Sequence, residues 1–510
     1  MFNKVISGTL HGVEGRLITV EADVSEGLPV FSMVGFLASE VREASDRVRT
    51  SLRNSGFILS PKKITINLSP ADIRKEGSAF DLPISVALLA SYGYIPEESI
   101  KNILFVGELS LSGELKGVRG VLSIVDYAKK QGIKEVILPY DNRKEASIVA
   151  GIRVYGAHNL KEVVEHLQDI KSLKTVEQTK MDKEYDDYSV DFSDVKGQDS
   201  MKRAVEIAVA GMHNLIFIGP PGSGKSMIAK RIPTVMPGLS YDESVELTKI
   251  YSAKGLLSPD DGLITNRPFR MPHHSITSQS LIGGGAIPKP GEISLAHNGV
   301  LFLDEMLEFQ KNVIEMLRQP LEDGVVTISR MQGSYTFPCD FMLVAAMNPC
   351  PCGYYPDRTR CRCNKLQIER YLRKLSNPMI DRIDMCIQVK RVEYKELYDD
   401  TPSMRSADYK EIIEKAQSVQ KKRLNKYGLR FNSQIPSGEL DDMCLLGEEE
   451  QKLRQEIFEQ YKMTARGMGK LLKVARTIAD IAESDVVRSE HILEALSYRI
   501  NDFFSGGESI

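Results

Sequence analysis

The sequence Gly219-Pro-Pro-Gly-Ser-Gly-Lys-Ser226 directly follows an apolar run, residues 215–218. Its spacing, G-x-x-x-x-G-K-[ST], is that of a loop that cradles phosphate groups. Glycines let backbone N–H groups approach the phosphates, Lys225 adds positive charge, and the Ser226 hydroxyl is suited to bind Mg²⁺. A strand before the loop and a helix after it argue against the alternative, an ordinary glycine turn. The residues predicted to bind a nucleoside triphosphate are Gly219, Pro220, Pro221, Gly222, Ser223, Gly224, Lys225 and Ser226.

Two further apolar runs, residues 300–304 and 341–347, lead into polar residues, Asp304 and Asn348. Short runs that are apolar throughout are typical of central strands in a parallel sheet that is covered on both faces, so they predict an α/β core. Open sheets of this kind bind ligands at the carboxyl ends of their strands. We therefore expect Asp304 to hold Mg²⁺ and Glu305 to polarise the attacking water, although apolar runs ending in acids are also common without a ligand. Asn348 is suited to orient water or contact the outermost phosphate, or it is only a capping or turn residue.

Composition limits the class of protein. A chain of 510 residues exceeds what one hydrophobic core supports, and about two to four domains are expected. The formal charge of -3 excludes overall basicity as the basis of DNA binding, so any nucleic-acid surface must be local. The most apolar stretch, residues 82–90, is too short to cross a bilayer, and the start resembles neither a signal nor a transit segment. We expect a cytoplasmic protein with no membrane partner.

Four segments are distinguished along the chain. Residues 1–170 alternate short β-branched runs with helical patterns, as in an α/β or α+β domain. Residues 171–188 are rich in charged and polar residues and are predicted to be a linker. Residues 189–393 hold the α/β core, with a cysteine-rich insertion at 350–363. Residues 394–510 carry helical patterns, which we interpret as a helical lid.

The order of these motifs resembles that of AAA+ ATPases in the magnesium-chelatase-like, helicase-related branch. The resemblance includes Arg382 in Ile380-Asp-Arg-Ile-Asp384 and Arg466 in Thr464-Ala-Arg466. It implies an AAA+ P-loop ATPase core that uses ATP and Mg²⁺, with Asn348 as sensor 1, and a homo-hexameric ring. In such a ring Arg382 is the arginine finger offered to the neighbouring subunit's nucleotide and Arg466 is the sensor 2 residue of the lid. Taken alone, each arginine would be interpreted as a surface charge or a structural ion pair.

A closer resemblance, to the ComM/YifB family, covers essentially the whole chain. It is carried by six strings in the same order: Ser7-Gly-Thr-Leu-His-Gly12, Phe31-Ser-Met-Val-Gly35, Asn67-Leu-Ser-Pro-Ala71, Gly77-Ser-Ala-Phe-Asp-Leu-Pro83, Met271-Pro-His-His-Ser275 and Asn348-Pro-Cys-Pro-Cys-Gly353. The family implies an ATP-driven DNA motor, a helicase that promotes branch migration when imported DNA recombines during natural transformation. Its partners would be single-stranded, duplex or branched DNA and recombination proteins. The alternative is a protein-remodelling ATPase similar to the magnesium chelatase motor subunit.

The amino-terminal segment resembles the proteolytic domain of Lon proteases in Val106-Gly-Glu-Leu-Ser110 and Gly117-Val-Arg-Gly120. Lon proteases need a serine nucleophile and a lysine base. The resemblance puts Ala79 and Leu122 at those two positions, so we expect a Lon-protease-like α+β domain that is catalytically dead and serves as a ring-forming or DNA-guiding scaffold. Ser78, one residue from the nucleophile position, leaves residual peptidase activity as an alternative.

Four cysteines, Cys350, Cys352, Cys361 and Cys363, form the pattern C-x-C-x8-C-x-C. Four thiolates within so short a segment suggest a structural Zn²⁺ site. The one-residue spacing within each pair is tighter than the usual two to four, so buried free thiols and redox chemistry stay open as alternatives. Cysteines of this kind in an apparently cytoplasmic protein do not suggest a disulfide framework.

Two segments are candidates for DNA contact. The first is the cationic stretch around the cysteines, with Arg358, Arg360 and Arg362, which is otherwise interpreted as a solvated face or a ring-interface contact. The second is a β-hairpin predicted over residues 324–338, where Arg330 would touch the DNA backbone. The neighbouring His273 and His274 could bind a metal, but we expect structural histidines.

Overall fold

The computed structural model describes residues 1–179, 188–330, 333–392, 394–397 and 403–499. Part of the predicted linker, the boundary residue 393, the turn of the predicted hairpin at residues 331–332 and parts of the predicted lid segment lie outside the described residues. Among the described helices, none combines the length and the apolar character that crossing a membrane requires.

The amino-terminal domain is built on a mixed sheet that begins with a hairpin. Strands Phe2–His11 and Glu14–Ser25 pair antiparallel and turn at Gly12, whose φ is +68°. Helix Asp81–Ser91 lies in the middle of the domain, and all of its residues are buried. The described sheet runs in the order Phe31–Val34, Lys63–Ser69, Glu14–Ser25, Phe2–His11, Ile103–Phe105, Glu135–Pro139 and Arg153–Ala157. The other helices of the domain are Ser39–Arg42, Ala44–Asn54, Val121–Lys130, Arg143–Ala146 and Leu160–Leu167. This α+β architecture confirms the sequence-based prediction.

The second domain has a parallel sheet at its centre. Its order is Phe269–Arg270, Val300–Leu303, Met342–Met347, Leu215–Ile218 and Met385–Gln388. The three strands predicted from apolar runs are confirmed, whereas the two edge strands were not predicted. Its helices are Asp199–Gly211, Lys225–Ala229, Ile232–Val235, Tyr241–Lys254, Ser278–Ile282, Glu292–Leu295, Lys311–Glu315, Pro320–Asp323, Lys365–Leu372 and Asn377–Ile380. The predicted hairpin is present as the antiparallel strands Val325–Arg330 and Gly333–Pro338.

The carboxyl-terminal part is helical, as predicted for a lid. Its helices are Tyr394–Leu397, Ser406–Leu424, Leu440–Cys444, Glu448–Gln460, Ala465–Ile481 and Ser489–Ser497. Apart from Tyr394–Leu397, these helices join their apolar faces to one face of the parallel sheet in a single hydrophobic core. Inside the lid, the carboxylate of Asp480 accepts hydrogen bonds from both Arg423 and Arg476. These bonds offset the cost of burying the charges of Asp480 and Arg476 inside the lid.

The amino-terminal domain packs on helix Tyr241–Lys254 of the second domain. Lys249 Nζ lies 2.6 Å from Asp126 Oδ2, and the Gly120 N–H donates to Ser252 Oγ at 2.9 Å. The Ser252 hydroxyl in turn donates to Glu145, where burial raises the pKa of the carboxyl. His11 of the amino-terminal domain also stacks on Tyr335 of the hairpin, so this domain and the hairpin lie on the same side of the second domain.

Candidate nucleotide-binding site

The phosphate loop connects strand Leu215–Ile218 to helix Lys225–Ala229. Gly224 has φ +89°, a backbone conformation that residues with a side chain rarely adopt. Gly219 is needed for another reason, because a Cβ built there would lie 2.6 Å from the carbonyl oxygen of Val389. Gly219 therefore leaves room for the neighbouring chain segment at Val389 as well as for the ligand.

Lys225 is held over the loop by backbone carbonyls. Its Nζ donates to the oxygen of Gly219 at 2.7 Å and to that of Pro220 at 2.9 Å. Burial lowers the pKa of Lys225 to about 8, while the charges of Asp304 and Glu305 act in the opposite direction. A partly desolvated ammonium within this loop is suited to receive an anion, with the charges of Asp304 and Glu305 left to be offset by a bound cation.

Ser226 and Asp304 are in direct contact. The Ser226 hydroxyl donates to Asp304 Oδ2 at 2.6 Å, and the Glu305 N–H donates to Asp304 Oδ1 at 3.0 Å. Glu305 has φ +51° and an exposed side chain. A hydroxyl and a carboxylate that touch at the end of the sheet offer the oxygen ligands that Mg²⁺ prefers, so these residues fit that ion.

Asn348 follows strand Met342–Met347 next to the phosphate loop. The Gly219 N–H donates to the Met347 carbonyl at 3.2 Å. A Cβ built on Gly353 would lie 2.7 Å from Pro221 and 3.7 Å from the Asn348 side chain. The structure thus brings together the predicted phosphate loop, the two carboxylates and Asn348 at one edge of the sheet.

Two further residues lie at this edge, and one of them, Gln198, was not identified from the sequence. Gln198, with φ +59°, donates from Nε2 to the carbonyls of Ser223 (3.2 Å) and Lys390 (2.8 Å). His274 Nδ1 lies 3.9 Å from Glu305 Oε2, and its side chain is 39% exposed. His274 also contacts the rings of His273 and Phe309, with centroids 4.0 and 6.4 Å away, and it stands beside the candidate catalytic glutamate. For Gln198 the sequence offered no signal beyond its place after Gly197.

Arg382 and Arg466 lie at the opposite edge of the sheet from the phosphate loop, where the strands begin rather than end. The Asn214 side chain donates to the Arg382 carbonyl at 3.0 Å, which places Arg382 where strand Leu215–Ile218 begins. The phosphate loop starts five residues further on, roughly 16 Å away at about 3.3 Å per strand residue. Arg466 belongs to this edge too, because both guanidinium groups contact the carboxylate of Glu322.

The four cysteines of the predicted Zn²⁺ site converge. Sγ of Cys350 lies 3.3 Å from that of Cys352 and 3.7 Å from that of Cys361, and all four sulfur atoms are within 4.8 Å of one another. Tetrahedral Zn²⁺ with bonds of about 2.3 Å requires sulfurs about 3.8 Å apart, so the group fits this metal. Although burial opposes it, hydrogen bonds from the Tyr354 backbone and the neighbouring thiols lower the pKa of Cys352 to about 6, whereas burial raises the pKa values of Cys361 and Cys363.

The candidate DNA residues occupy two places. Arg330 is exposed at the end of its strand, and its Nη2 lies 3.5 Å from a Cβ built on Gly284. Arg358 donates to the Cys363 carbonyl at 3.0 Å, and Arg360 lies 3.8 Å from Asp357. Arg362 is also exposed and belongs to the same segment, residues 350–363, which we call the cysteine loop.

At the two positions that the Lon resemblance assigns to the serine and the lysine, the described residues show no serine–lysine pair. Leu122, at the position of the lysine, is buried and its N–H donates to Glu145. Ser78, the neighbour of Ala79, donates its hydroxyl to Glu108. A serine that donates to a glutamate rather than a lysine does not reproduce the Lon chemistry.

Comparison with known proteins gives three family matches. The description "Magnesium chelatase, subunit ChlI" matches residues 191–397, "Subunit ChlI of Mg-chelatase" matches residues 20–142, and "Magnesium chelatase, subunit ChlI C-terminal" matches residues 403–499. Over 164 residues, which are 30% of this chain and 21% of the protease, the chain is 25% identical to Lon protease of Buchnera aphidicola subsp. Schizaphis graminum. The latter match agrees with the α+β fold of the amino-terminal domain.

Two relatives match nearly from end to end. Protein YifB of Escherichia coli strain K12 is 42% identical over 492 residues, 96% of each chain. Competence protein ComM of Haemophilus influenzae is 39% identical over 502 residues, 97% of each chain. With the phosphate loop, the parallel sheet and the helical lid in place, these matches show that the chain belongs to the ComM/YifB family of magnesium-chelatase-like AAA+ ATPases.

Proposed function

We propose that this chain is an ATP-hydrolysing DNA motor that works as a ring, a homo-hexamer, and promotes branch migration when imported DNA is integrated by homologous recombination. The observation that carries the proposal is the separation of Lys225 from Arg382 by the length of a central strand. One protomer then presents half of a hydrolytic site at each edge of its sheet. A complete site needs two protomers, with the phosphate loop of one facing the arginines of the next.

At the first edge the residues divide the work of binding and hydrolysis. Lys225 and the N–H groups of the phosphate loop bind the outer phosphates, and Ser226 and Asp304 hold Mg²⁺. When bound, this ion neutralises charge on the phosphate oxygens. Glu305 accepts a proton from the attacking water, and Asn348 orients that water through its amide.

At the second edge, Arg382 and Arg466 act on the nucleotide of the neighbour. Charge that develops on the transferred phosphoryl group is stabilised by guanidinium groups held in place beforehand. Arg382 is so held, since its Nε donates to the Arg318 carbonyl at 3.0 Å and its Nη1 to the Pro378 carbonyl at 2.6 Å. Hydrolysis in this arrangement depends on contact between subunits, which is how a ring motor links turnover to movement.

The hairpin is the preferred candidate for DNA contact. Exposed Arg330 lies against Gly284, in a segment of three consecutive glycines with positive φ, and both elements would face a central channel. Tyr335 of the hairpin stacks on His11 of the Lon-like domain with ring centroids 4.5 Å apart. This contact supports a role for the amino-terminal domain as a platform beside the DNA. The cysteine loop lies next to Pro221, so Arg358, Arg360 and Arg362 contact either DNA or the neighbouring protomer.

A structural Zn²⁺ in the cysteine loop would fix the turn that follows Asn348. The loop has little secondary structure of its own between strand Met342–Met347 and helix Lys365–Leu372. Because Gly353 packs against Pro221, order in this loop also bears on the position of the phosphate loop. Cys350, Cys352, Cys361 and Cys363 are the proposed ligands.

The experiment that tests the proposal measures ATP hydrolysis with single-stranded, duplex and four-way-junction DNA over a range of salt concentrations. Hydrolysis stimulated by DNA, with a steep salt dependence, is expected because phosphate contacts release counterions. Lys225→Ala should abolish ATP binding, whereas Glu305→Gln should retain binding and lose at least about 100-fold in turnover. Turnover indifferent to every DNA would instead favour a protein-remodelling machine like the chelatase motor.

A further inference from the structure

Glu322 joins the two arginines of the second edge. It lies in the short helix Pro320–Asp323, and its two carboxylate oxygens have different partners. Oε2 accepts from Nη2 of Arg382, and Oε1 accepts from Nη2 of Arg466 at 2.9 Å. One carboxylate therefore bridges two guanidinium groups that come from the core and from the lid.

The two arginines are held to different degrees. Arg382 also donates to two backbone carbonyls, and its side chain is only 10% exposed. Arg466 is 48% exposed, and among the described residues its hydrogen-bond partner is Glu322. The helix that carries Arg466 is anchored one turn later, where Lys470 Nζ lies 2.8 Å from Asp384 Oδ1. Glu322 is thus the contact that positions the guanidinium group of Arg466.

The charges at this place fit an anion larger than one carboxylate. Two guanidinium groups face a single negative charge, and their hydrogen bonds lower the pKa of Glu322, which keeps it ionised. Guanidinium groups bind phosphate oxygens through the same N–H donors that they offer to carboxylates.

We propose that Glu322 is a positioning residue, which holds Arg382 and Arg466 side by side as one receptor and gives up this place to the phosphates of the neighbouring protomer's nucleotide. The inference rests on the proposed function, because it requires that both arginines act across the subunit interface. Glu322 then has two effects: it orients the arginines, and its charge competes with the incoming nucleotide.

The test compares full-length wild type with Glu322→Gln, Glu322→Asp and the matched control Asp323→Asn, an exposed carboxylate one residue further along the same helix. ATP turnover is measured against protein concentration with saturating Mg-ATP. Glu322→Gln lacks the competing charge. Its protein concentration at half-maximal turnover should therefore be lower than that of wild type by a factor of about three or more. Its plateau should fall, because a neutral amide does not align two guanidinium groups.

Glu322→Asp keeps the charge but shortens the side chain, so it should lower the plateau without lowering the half-saturating concentration. Asp323→Asn should behave like wild type. A folded Glu322→Gln variant with an unchanged or higher half-saturating concentration would overturn the proposal, and so would Glu322→Asp with a wild-type plateau. On an Arg382→Ala background, assembly followed by sedimentation should respond less to Glu322→Gln.

Failure of the composite site and failure of the role of Glu322 give different results. If Arg382→Ala hydrolyses ATP like wild type, the composite site itself is wrong. If Arg382→Ala loses turnover while the Glu322 variants match wild type, the composite site stands and only the role of Glu322 is refuted.

Discussion

The Ser226 hydroxyl donates to the Asp304 carboxylate across 2.6 Å. The strands that precede these two residues, Leu215–Ile218 and Val300–Leu303, are not neighbours, because strand Met342–Met347 lies between them. The contact is possible because the phosphate loop turns back over the carboxyl edge of the sheet. It places a hydroxyl beside a carboxylate where no local sequence pattern joins them. Both are oxygen ligands of the kind that Mg²⁺ takes.

Ser226→Ala is expected to weaken the binding of the Mg²⁺ that hydrolysis requires. Removing one ligand should raise the Mg²⁺ concentration at half-maximal turnover by about tenfold or more. The measurement is a Mg²⁺ titration at fixed ATP. Ser223→Ala is the control, because the Ser223 hydroxyl donates to the Pro220 carbonyl within the loop at 2.8 Å. Equal midpoints for both variants would contradict the assignment of Ser226.

Cys352→Ser is expected to lose bound metal. Wild type purified without a tag should contain about one Zn²⁺ per chain, and the variant less than about 0.2, because three remaining thiolates hold a structural ion poorly. Elemental analysis with a thiol-competing chelator measures this. Cys444→Ala, which changes a buried cysteine of the lid, should keep its metal. Metal-free wild type would leave buried free thiols or redox chemistry as the interpretation.

A fully buried histidine should make folding sensitive to mild acid. His213 bonds to Thr477 at 2.8 Å; burial lowers its pKa to about 4, against the pull of Asp384, with Lys473 and Lys470 adding to the decrease. In the folded protein the His213 side chain therefore stays neutral at pH 5. In the unfolded chain its pKa is near 6.5, so it takes up a proton. The contribution of this group to the free energy of unfolding is fully present above about pH 6.5. Between pH 7 and pH 5 it falls by about 2 kcal/mol.

Denaturant unfolding at several pH values measures the effect of His213. His213→Gln should reduce the acid dependence, whereas His158→Gln, which changes a histidine stacked on Tyr140 in the other domain, should leave it unchanged. An identical loss of stability in wild type and His213→Gln between pH 7 and pH 5 would refute the prediction.

Sequence patterns predicted the parts of the site that are local. The phosphate loop, Asp304 and Glu305 each follow a short apolar run, and the geometry of a parallel sheet then brings their edges together. The contacts of Glu322 were beyond such reasoning, since its partners are 60 and 144 residues away. The same holds for Gln198, which reaches Lys390 across 192 residues. Such pairs depend on how the lid and the core pack, and no periodicity reports that.

Arg330→Ala should separate the hairpin from the cysteine loop as the place of DNA contact. If Arg330 binds a backbone phosphate, its removal should weaken DNA-stimulated hydrolysis uniformly across sequences and reduce the salt slope by about one, while hydrolysis without DNA is unchanged. Arg362→Ala should do the same only if the cysteine loop binds DNA, and it should instead impair assembly if the loop contacts a neighbouring protomer. Lys415→Ala, on an exposed face of the lid, is the control. A wild-type salt slope in Arg330→Ala, with the slope lowered in Arg362→Ala, would move the DNA to the cysteine loop and away from the hairpin.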